Sequence, residues 1–275
     1  MPARGTVAEH SFVRVGSSNA DADRVLVVVP GLNDPLKRVG DARWFAGLMA
    51  VYLRRYRDTH AAYMVSRPRG LGGARTTREM AAGYAPVVRE LAAREGVDGV
   101  DALGLSLGGF VVQHLAARAP ELLDRAVLGL AGTELSADGR GIVERWRTHA
   151  LAGRWRPIYV DAYGLVARGF TARALQVGSV AYDLLVDPAT PEDLLTSVDA
   201  SLAHDGRDVL PDVAVPTLVV GGTDDPFFTE AGFRDAARRL PDGRLALLDG
   251  VGHEAVVEHA DAFDGAIKRF LGDRD

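Results

Sequence analysis

Short runs of apolar, often β-branched residues alternate along this chain with longer stretches of helical spacing. The clearest run is Val-Leu-Val-Val-Val at residues 25–29, which is continuously apolar and stops at Pro30-Gly31. A continuous apolar run predicts a strand buried on both faces. Further strands are predicted at residues 61–65, 97–103, 125–130, 217–220 and 244–248. The alternation predicts an α/β fold, a mostly parallel sheet with helices on both faces.

The predicted helices carry recognisable end signals. Residues 76–95 have apolar side chains at helical spacing, with Thr76 or Thr77 as the N-cap and Gly96 as the stop. Helices are also predicted at residues 110–119, before Pro120, and at residues 255–271.

Composition narrows the class of protein. The 275 residues are 47% hydrophobic and 25% charged, with a formal net charge of −5. These values are typical of a globular chain with a sizeable core. The chain has no cysteine, which excludes disulfides, thiolate metal sites and a cysteine nucleophile. The acidic balance argues against a nucleic-acid-binding protein.

One interval breaks the alternation. No convincing strand lies between Leu130 and Pro216, a gap far longer than an ordinary connection. We predict a helical lid at residues 134–208, inserted between a first core part at residues 1–133 and a second at residues 209–275. Its aromatic residues either line an apolar pocket or pack the lid helices together: Trp146, Trp155, Tyr159, Tyr163, Phe170 and Tyr182.

The sequence Gly-Leu-Ser-Leu-Gly at residues 104–108 fits the G-x-S-x-G pattern of a nucleophile elbow. A serine on a sharp strand-to-helix turn needs glycine two residues to either side, because larger side chains would collide with the neighbouring backbone. The pattern alone is weak, but here it has the required strand before it and helix after it. The alternative is a tight glycine turn with a buried serine.

A serine nucleophile needs a base oriented by an acid. The expected chain order is serine, acid, histidine. His253 follows the sixth predicted strand, in a loop where a base can reach the carboxyl edge of a sheet. His259 is predicted to be a solvated helix residue, and His114 to pack or to face solvent.

Three carboxylates are candidates for the acid. Asp225 is favoured because it follows the fifth predicted strand and precedes Pro226, which restricts the turn. Its neighbour Asp224 could instead cap the next turn. Glu134, after the fourth predicted strand, is the third candidate.

Together these pieces resemble the α/β-hydrolase family, and the matching features run from Val25 to Leu271. The resemblance implies that the backbone amides of Leu107 and Leu32 form an oxyanion hole. Many members have His-Gly where this chain has Pro30-Gly31. The donor is a backbone amide, so proline at this position does not abolish the hole.

The resemblance also implies a reaction. Relatives with an aspartate nucleophile, the dehalogenases and epoxide hydrolases, are excluded by the serine at 106. The expected enzyme is a serine hydrolase that cleaves a carboxylic ester or related acyl bond. In it Ser106 attacks, His253 transfers the proton and Asp225 orients the imidazole. No metal or organic cofactor is required. The expected partner is a small, apolar acyl substrate, with no nucleic acid and no integral membrane association, and a homo-oligomer is left open.

Other functions share these motifs. An acyltransferase, a thioesterase or a carbon–carbon bond hydrolase would use the same three residues, and a non-catalytic ligand-binding protein could keep the fold. A basic glycine loop at Arg67, Arg69 and Arg75 could alternatively cradle a phosphate. Residues 1–10 lack a secretory signal and no apolar run is long enough for a bilayer, which predicts a cytoplasmic protein.

Overall fold

The computed structural model describes residues 2–16, 24–166 and 190–272. Eight strands form one sheet in the order β1-β2-β4-β3-β5-β6-β7-β8. The strands are β1 Ala3–Val7, β2 His10–Val15, β3 Val25–Val29, β4 Ala61–Val65, β5 Val100–Leu105, β6 Leu123–Gly129, β7 Thr217–Gly222 and β8 Gly243–Leu248. The six strands β3 to β8 all run parallel to one another. At one edge of the sheet, β2 pairs antiparallel with β4, and β1 pairs antiparallel with β2. The predicted α/β fold with a mostly parallel sheet is confirmed.

Nine α-helices lie in the described part of the chain. They are α1 Arg43–Leu53, α2 Thr77–Glu95, α3 Leu107–Arg118, α4 Ala137–Leu151, α5 Trp155–Val166, α6 Pro191–Ala203, α7 Glu230–Arg239, α8 Ala255–Glu258 and α9 Ala260–Gly272. Short 3-10 helices lie at Asp34–Leu36, Arg69–Gly73, Pro120–Leu122 and Leu210–Asp212.

The continuous apolar run of β3 is explained by helices on both faces of the sheet. Val25, Val27 and Val29 belong to the core that includes α2, α3 and α7. Leu26 and Val28 belong to the opposite core, which includes α1 and α9. Since side chains alternate along a strand, both faces of β3 have to be apolar.

Local end signals account for α2. The Thr76 side chain accepts a hydrogen bond from the backbone N–H of Glu79, and the Glu79 carboxylate accepts one from the backbone N–H of Thr76, which completes a capping box. Gly96 ends the helix in the left-handed region, with φ 73°. Both positions match the prediction.

Several predicted boundaries are wrong. The third predicted strand begins at Val100 rather than at residue 97, and the fifth runs on to Gly222. The predicted final helix is broken at His259 into α8 and α9. The N-terminal hairpin β1–β2 and helix α1 were not predicted. Four of the five residues of β1 are exposed, so that strand has no apolar pattern to detect.

The described part of residues 134–208 contains the helices α4, α5 and α6, and α4 packs on both of the others. No strand occurs in it. Residues 167–189 of the predicted lid, including Phe170 and Tyr182, lie outside the described residues. Among the helices that are described, none is long and apolar enough to cross a membrane.

Candidate active site

Ser106 stands at the sharp turn between β5 and α3. Its backbone adopts φ 53° and ψ −119°, a conformation that a non-glycine residue rarely occupies. A Cβ on Gly104 would lie 2.2 Å from the Gly108 oxygen, and a Cβ on Gly108 would lie 2.1 Å from the Val29 oxygen. Both approaches are impossible for a side chain, so the two glycines of the motif permit the turn that exposes the serine.

His253 and Asp225 meet at the same edge of the sheet. The Nδ1 atom of His253 lies 2.7 Å from Oδ2 of Asp225, and both side chains are buried. The other carboxylate oxygen accepts the backbone N–H groups of Phe227, at 2.8 Å, and Phe228, at 3.2 Å. These bonds orient the carboxylate, and a proton on Nδ1 leaves Nε2 of His253 as the basic nitrogen.

Two phenylalanines enclose the imidazole of His253. The ring centroid of Phe227 lies 4.6 Å from that of His253, and the ring of Phe228 stacks at 6.2 Å. These side chains restrict the imidazole without competing for its nitrogens. The sequence analysis did not predict a role for the two phenylalanines. The signal that could have indicated one is their position directly after Asp225-Pro226.

Ser106 and His253 line one cavity of about 450 Å³. Most of its walls are apolar, with Leu32, Phe45, Leu105, Phe110, Trp146 and Phe228 among the lining residues. No hydrogen bond joins Ser106 Oγ to His253 among the described residues. Catalytic hydrogen bonds are often loose in ligand-free enzymes and tighten when substrate binds.

The other candidate acids lie apart from His253. Asp224 is exposed. The carboxylate of Glu134 is 3.4 Å from Arg207 Nη1 in a partly exposed ion pair. Of the three carboxylates considered, Asp225 is the one that contacts His253.

The remaining histidines do not line this cavity; all seven lie in the described ranges. His259 is exposed, as predicted, but it lies between α8 and α9 rather than within one helix. His114 of α3 and His204 are buried beside each other, with ring centroids 5.5 Å apart. Burial lowers the pKa of His204 to about 3, and burial with the nearby charge of Arg118 lowers that of His114 to about 4.

The backbone segments of the two predicted oxyanion donors lie next to Ser106. Leu107 is the first residue of α3, so its amide is one of the helix N-terminal donors without an intrahelical acceptor. Leu32 lines the cavity and follows Gly31, whose ideal Cβ position is 3.4 Å from Ser106 Cβ. An oxygen bound near Ser106 is therefore within reach of both backbone segments.

The predicted aromatic wall is present in part. Trp146 lines the cavity and packs edge-on against Phe227, with centroids 5.8 Å apart. Trp155 and Tyr159 do not line it. The described residues contain no cluster of histidine, aspartate and glutamate that could hold a metal ion.

Comparisons with known proteins agree with this architecture. The sequence model of the Alpha/beta hydrolase family matches residues 26–266. A pimeloyl-[acyl-carrier protein] methyl ester esterase of Neisseria meningitidis serogroup B is 29% identical over 203 residues, which cover 69% of this chain and 78% of that protein.

Solved structures share the fold at low identity. The enol-lactonase of Burkholderia xenovorans LB400 superposes with a TM-score of 0.72 at 19% identity, covering 98% of this chain and all of that one. The alpha/beta hydrolase MGS-M2, from a Medee basin deep-sea metagenome, gives a TM-score of 0.75 at 16% identity and covers 99% of this chain and 98% of that one. At these identities the likeness shows the fold alone.

Proposed function

Since the chain belongs to the alpha/beta hydrolase family, we propose that it is a serine hydrolase that cleaves a carboxylic ester or a related acyl bond through Ser106, His253 and Asp225. The observation that carries the proposal is the buried 2.7 Å contact between His253 Nδ1 and Asp225 Oδ2, beside a cavity that Ser106 also lines. An imidazole held in this way presents its basic nitrogen for proton transfer.

In the first half-reaction, Ser106 Oγ attacks the carbonyl carbon while its proton passes to Nε2 of His253. The carbonyl oxygen becomes an oxyanion, which the amides of Leu107 and Leu32 stabilise. The tetrahedral intermediate then expels the alcohol, which takes the proton from His253. The acyl group remains on Ser106.

In the second half-reaction, His253 removes a proton from water as the water attacks the acyl-enzyme. The new tetrahedral intermediate releases the carboxylic acid, and His253 returns the proton to Ser106 Oγ. Asp225 stabilises the imidazolium that forms in each half-reaction without itself taking the proton.

The proposed substrate is a small ester with an apolar acyl or alcohol part. The cavity has the volume of an ordinary small-molecule site, and most of its lining surface is apolar. The Neisseria relative is by its name an esterase of a methyl ester. We extend from it only the ester class.

Residues 134–208 form a lid in this proposal, between core parts at residues 1–133 and 209–275. Support comes from Leu135, Val143, Trp146, Ala162 and Leu165, which lie in this interval and line the cavity. The cytoplasm remains the proposed compartment.

Covalent labelling tests the proposal. The purified protein and its Ser106→Ala variant are treated with a fluorophosphonate and their intact masses are measured. We expect one adduct per wild-type chain and none on the variant, followed by turnover of short-chain p-nitrophenyl esters by the wild type alone. A folded wild type that neither labels nor hydrolyses the esters would favour a ligand-binding role instead.

A further inference from the structure

Arg67 is a buried arginine that lies behind the loop carrying the predicted oxyanion donor Leu32. It is 1% exposed, although the sequence placed it in a basic glycine loop that could cradle a phosphate. Its Nη1 donates to the Pro30 carbonyl at 3.0 Å, and its Nη2 donates to the Gly31 carbonyl at 2.7 Å. One guanidinium thus holds two consecutive peptide groups of the loop.

The planarity of the peptide bond links this clamp to Leu32. The Gly31 carbonyl and the Leu32 N–H belong to one peptide group, and the described residues contain no cis peptide bond. In a trans peptide the C=O and N–H vectors point in opposite directions. A Gly31 carbonyl directed at Arg67 therefore turns the Leu32 N–H away from Arg67, and Leu32 is one of the residues that line the cavity.

The charge of Arg67 adds to this orientation. A cationic donor on the carbonyl makes a short, strong hydrogen bond and polarises the peptide group. Polarisation along a hydrogen-bonded chain strengthens the next donor, which here is the Leu32 N–H. A developing oxyanion would meet a donor that is both aimed and strengthened.

Arg67 is itself held from two sides. Its backbone N–H donates to Asp34 Oδ2 at 2.8 Å, and the same carboxylate oxygen lies 3.7 Å from Nε. Its backbone carbonyl accepts Nε of Arg38 at 2.8 Å. Arg38 in turn is paired with Asp193 of α6, at 2.5 Å, and is only 2% exposed.

We propose that Arg67 is a positioning residue of the oxyanion hole, which sets the direction of the Leu32 amide by binding the Pro30 and Gly31 carbonyls. It acts through the loop and touches neither the reacting carbonyl nor Ser106. The proposal rests on the proposed function, because an oxyanion forms only if Ser106 is the nucleophile.

The test compares Arg67→Met and Arg67→Lys with a matched control, Arg14→Met. Arg14 is also a buried arginine with a carboxylate partner, Glu95, at 2.8 Å, but it lies on β2, where its Nη1 donates to the Gly16 carbonyl. For each variant we measure kcat and KM for p-nitrophenyl butyrate, inhibition by phenylboronic acid, and the melting temperature. The boronic acid forms a tetrahedral anionic adduct on Ser106, with one boron oxygen in the oxyanion hole.

We expect Arg67→Met to lower kcat and boronate affinity together by about tenfold to a hundredfold, somewhat less than the loss of a whole oxyanion donor, with KM nearly unchanged. Arg67→Lys should recover part of both losses, since an ammonium can hold one of the two carbonyls. Arg14→Met should lower the melting temperature and leave kcat and boronate affinity at wild-type values. If Arg67→Met does not fold, Arg67→Lys alone should still show a parallel loss of both quantities.

Wild-type kcat in a folded Arg67 variant overturns the inference, and so does a loss of kcat without a loss of boronate affinity. A loss of both in Arg14→Met would also overturn it, since the effect would then follow from stability alone. The proposed function fails separately, if Ser106→Ala retains the wild-type kcat.

Discussion

The protein contains two buried histidine–aspartate pairs, which lie at opposite ends of the parallel strands. His253 and Asp225 lie beyond the carboxyl ends of β8 and β7, with 2.7 Å between nitrogen and oxygen. His60 precedes β4, and its Nε2 lies 2.8 Å from Asp101 near the amino end of β5. The two contacts are almost equal in length, so the hydrogen bond itself does not distinguish a catalytic pair from a structural one.

The surroundings of the two pairs do distinguish them. Both nitrogens of His60 are occupied, because its Nδ1 lies 2.8 Å from Thr59 Oγ1, and Asp101 also pairs with Arg24 at 2.7 Å. His253 has one nitrogen on Asp225 and faces a cavity that also contains Ser106. A histidine with a free basic nitrogen beside a nucleophile can transfer a proton, whereas a fully satisfied one contributes to stability.

The largest expected contrast comes from replacing each histidine by alanine. His253→Ala should lower kcat by about 10⁶, because residues that act as one catalytic unit fail together. His60→Ala should leave kcat of the folded protein within about threefold of wild type and lower the melting temperature, since it removes the hydrogen bond between His60 and the buried Asp101 carboxylate. Ester kinetics measure kcat, and thermal denaturation measures the melting temperature, for both variants. Equal losses of kcat in His253→Ala and His60→Ala would contradict the different roles assigned to the two histidines.

The aspartates provide a second contrast. Asp225→Asn should lower kcat by about 10⁴, because the amide favours the wrong imidazole tautomer. Asp101→Asn should instead reduce the free energy of unfolding by about 3 kcal/mol, because it removes the charge of a fully buried carboxylate that pairs with the partly exposed Arg24. Urea denaturation measures the second effect. If Asp101→Asn has the wild-type urea midpoint but a lower kcat, the structural role assigned to Asp101 is wrong.

Two glycines near opposite ends of β5 should also differ in how well they tolerate substitution by alanine. A Cβ on Gly108 would collide with the Val29 backbone oxygen, so Gly108→Ala should cost about 3 kcal/mol or more of stability. The three atoms nearest to a Cβ on Gly99 all belong to the carboxylate of Asp124, an exposed side chain that can move. Gly99→Ala should therefore cost less than about 1 kcal/mol. Chemical denaturation of the two variants compares them, and equal stabilities would contradict the rigid close approach at the elbow.

The smallest effect concerns pH. The lowered pKa values of His114, about 4, and His204, about 3, lie below the ordinary value of 6.5. Between about pH 4 and pH 6.5 the unfolded chain binds more protons at these residues than the folded one, so stability falls as the pH falls through this window. His114→Gln should make the fall shallower. Its Nδ1 is buried and has no hydrogen-bond partner among the described residues, so the substitution should be tolerated.

Urea midpoints of wild type and His114→Gln at several pH values between 4 and 7 measure that slope. The same series should leave the pH profile of kcat unaltered, because His114 does not line the cavity. An identical slope in the two proteins would assign the pH dependence to other groups.

Much of the fold could be predicted because its signals are local. The apolar run of β3, the Thr76 cap of α2 and the G-x-S-x-G turn each depend on residues close in the chain, and each prediction agrees with the structure. The hairpin β1–β2 could not be found in this way. Strand β1 is mostly exposed, and β2 takes its place in the sheet by pairing with β4, about 50 residues later.

The sequence by itself determined which strands are buried on both faces, where the serine turn lies and which few acids and bases could serve it. Those properties follow from the spacing of residues along the chain. Only the tertiary structure decided that Asp225, rather than Asp224 or Glu134, meets His253, and that Arg67 is buried behind the Pro30-Gly31 loop. These contacts join residues 28 and 36 positions apart. Their partners are selected by how the strands and loops pack, which local spacing does not encode.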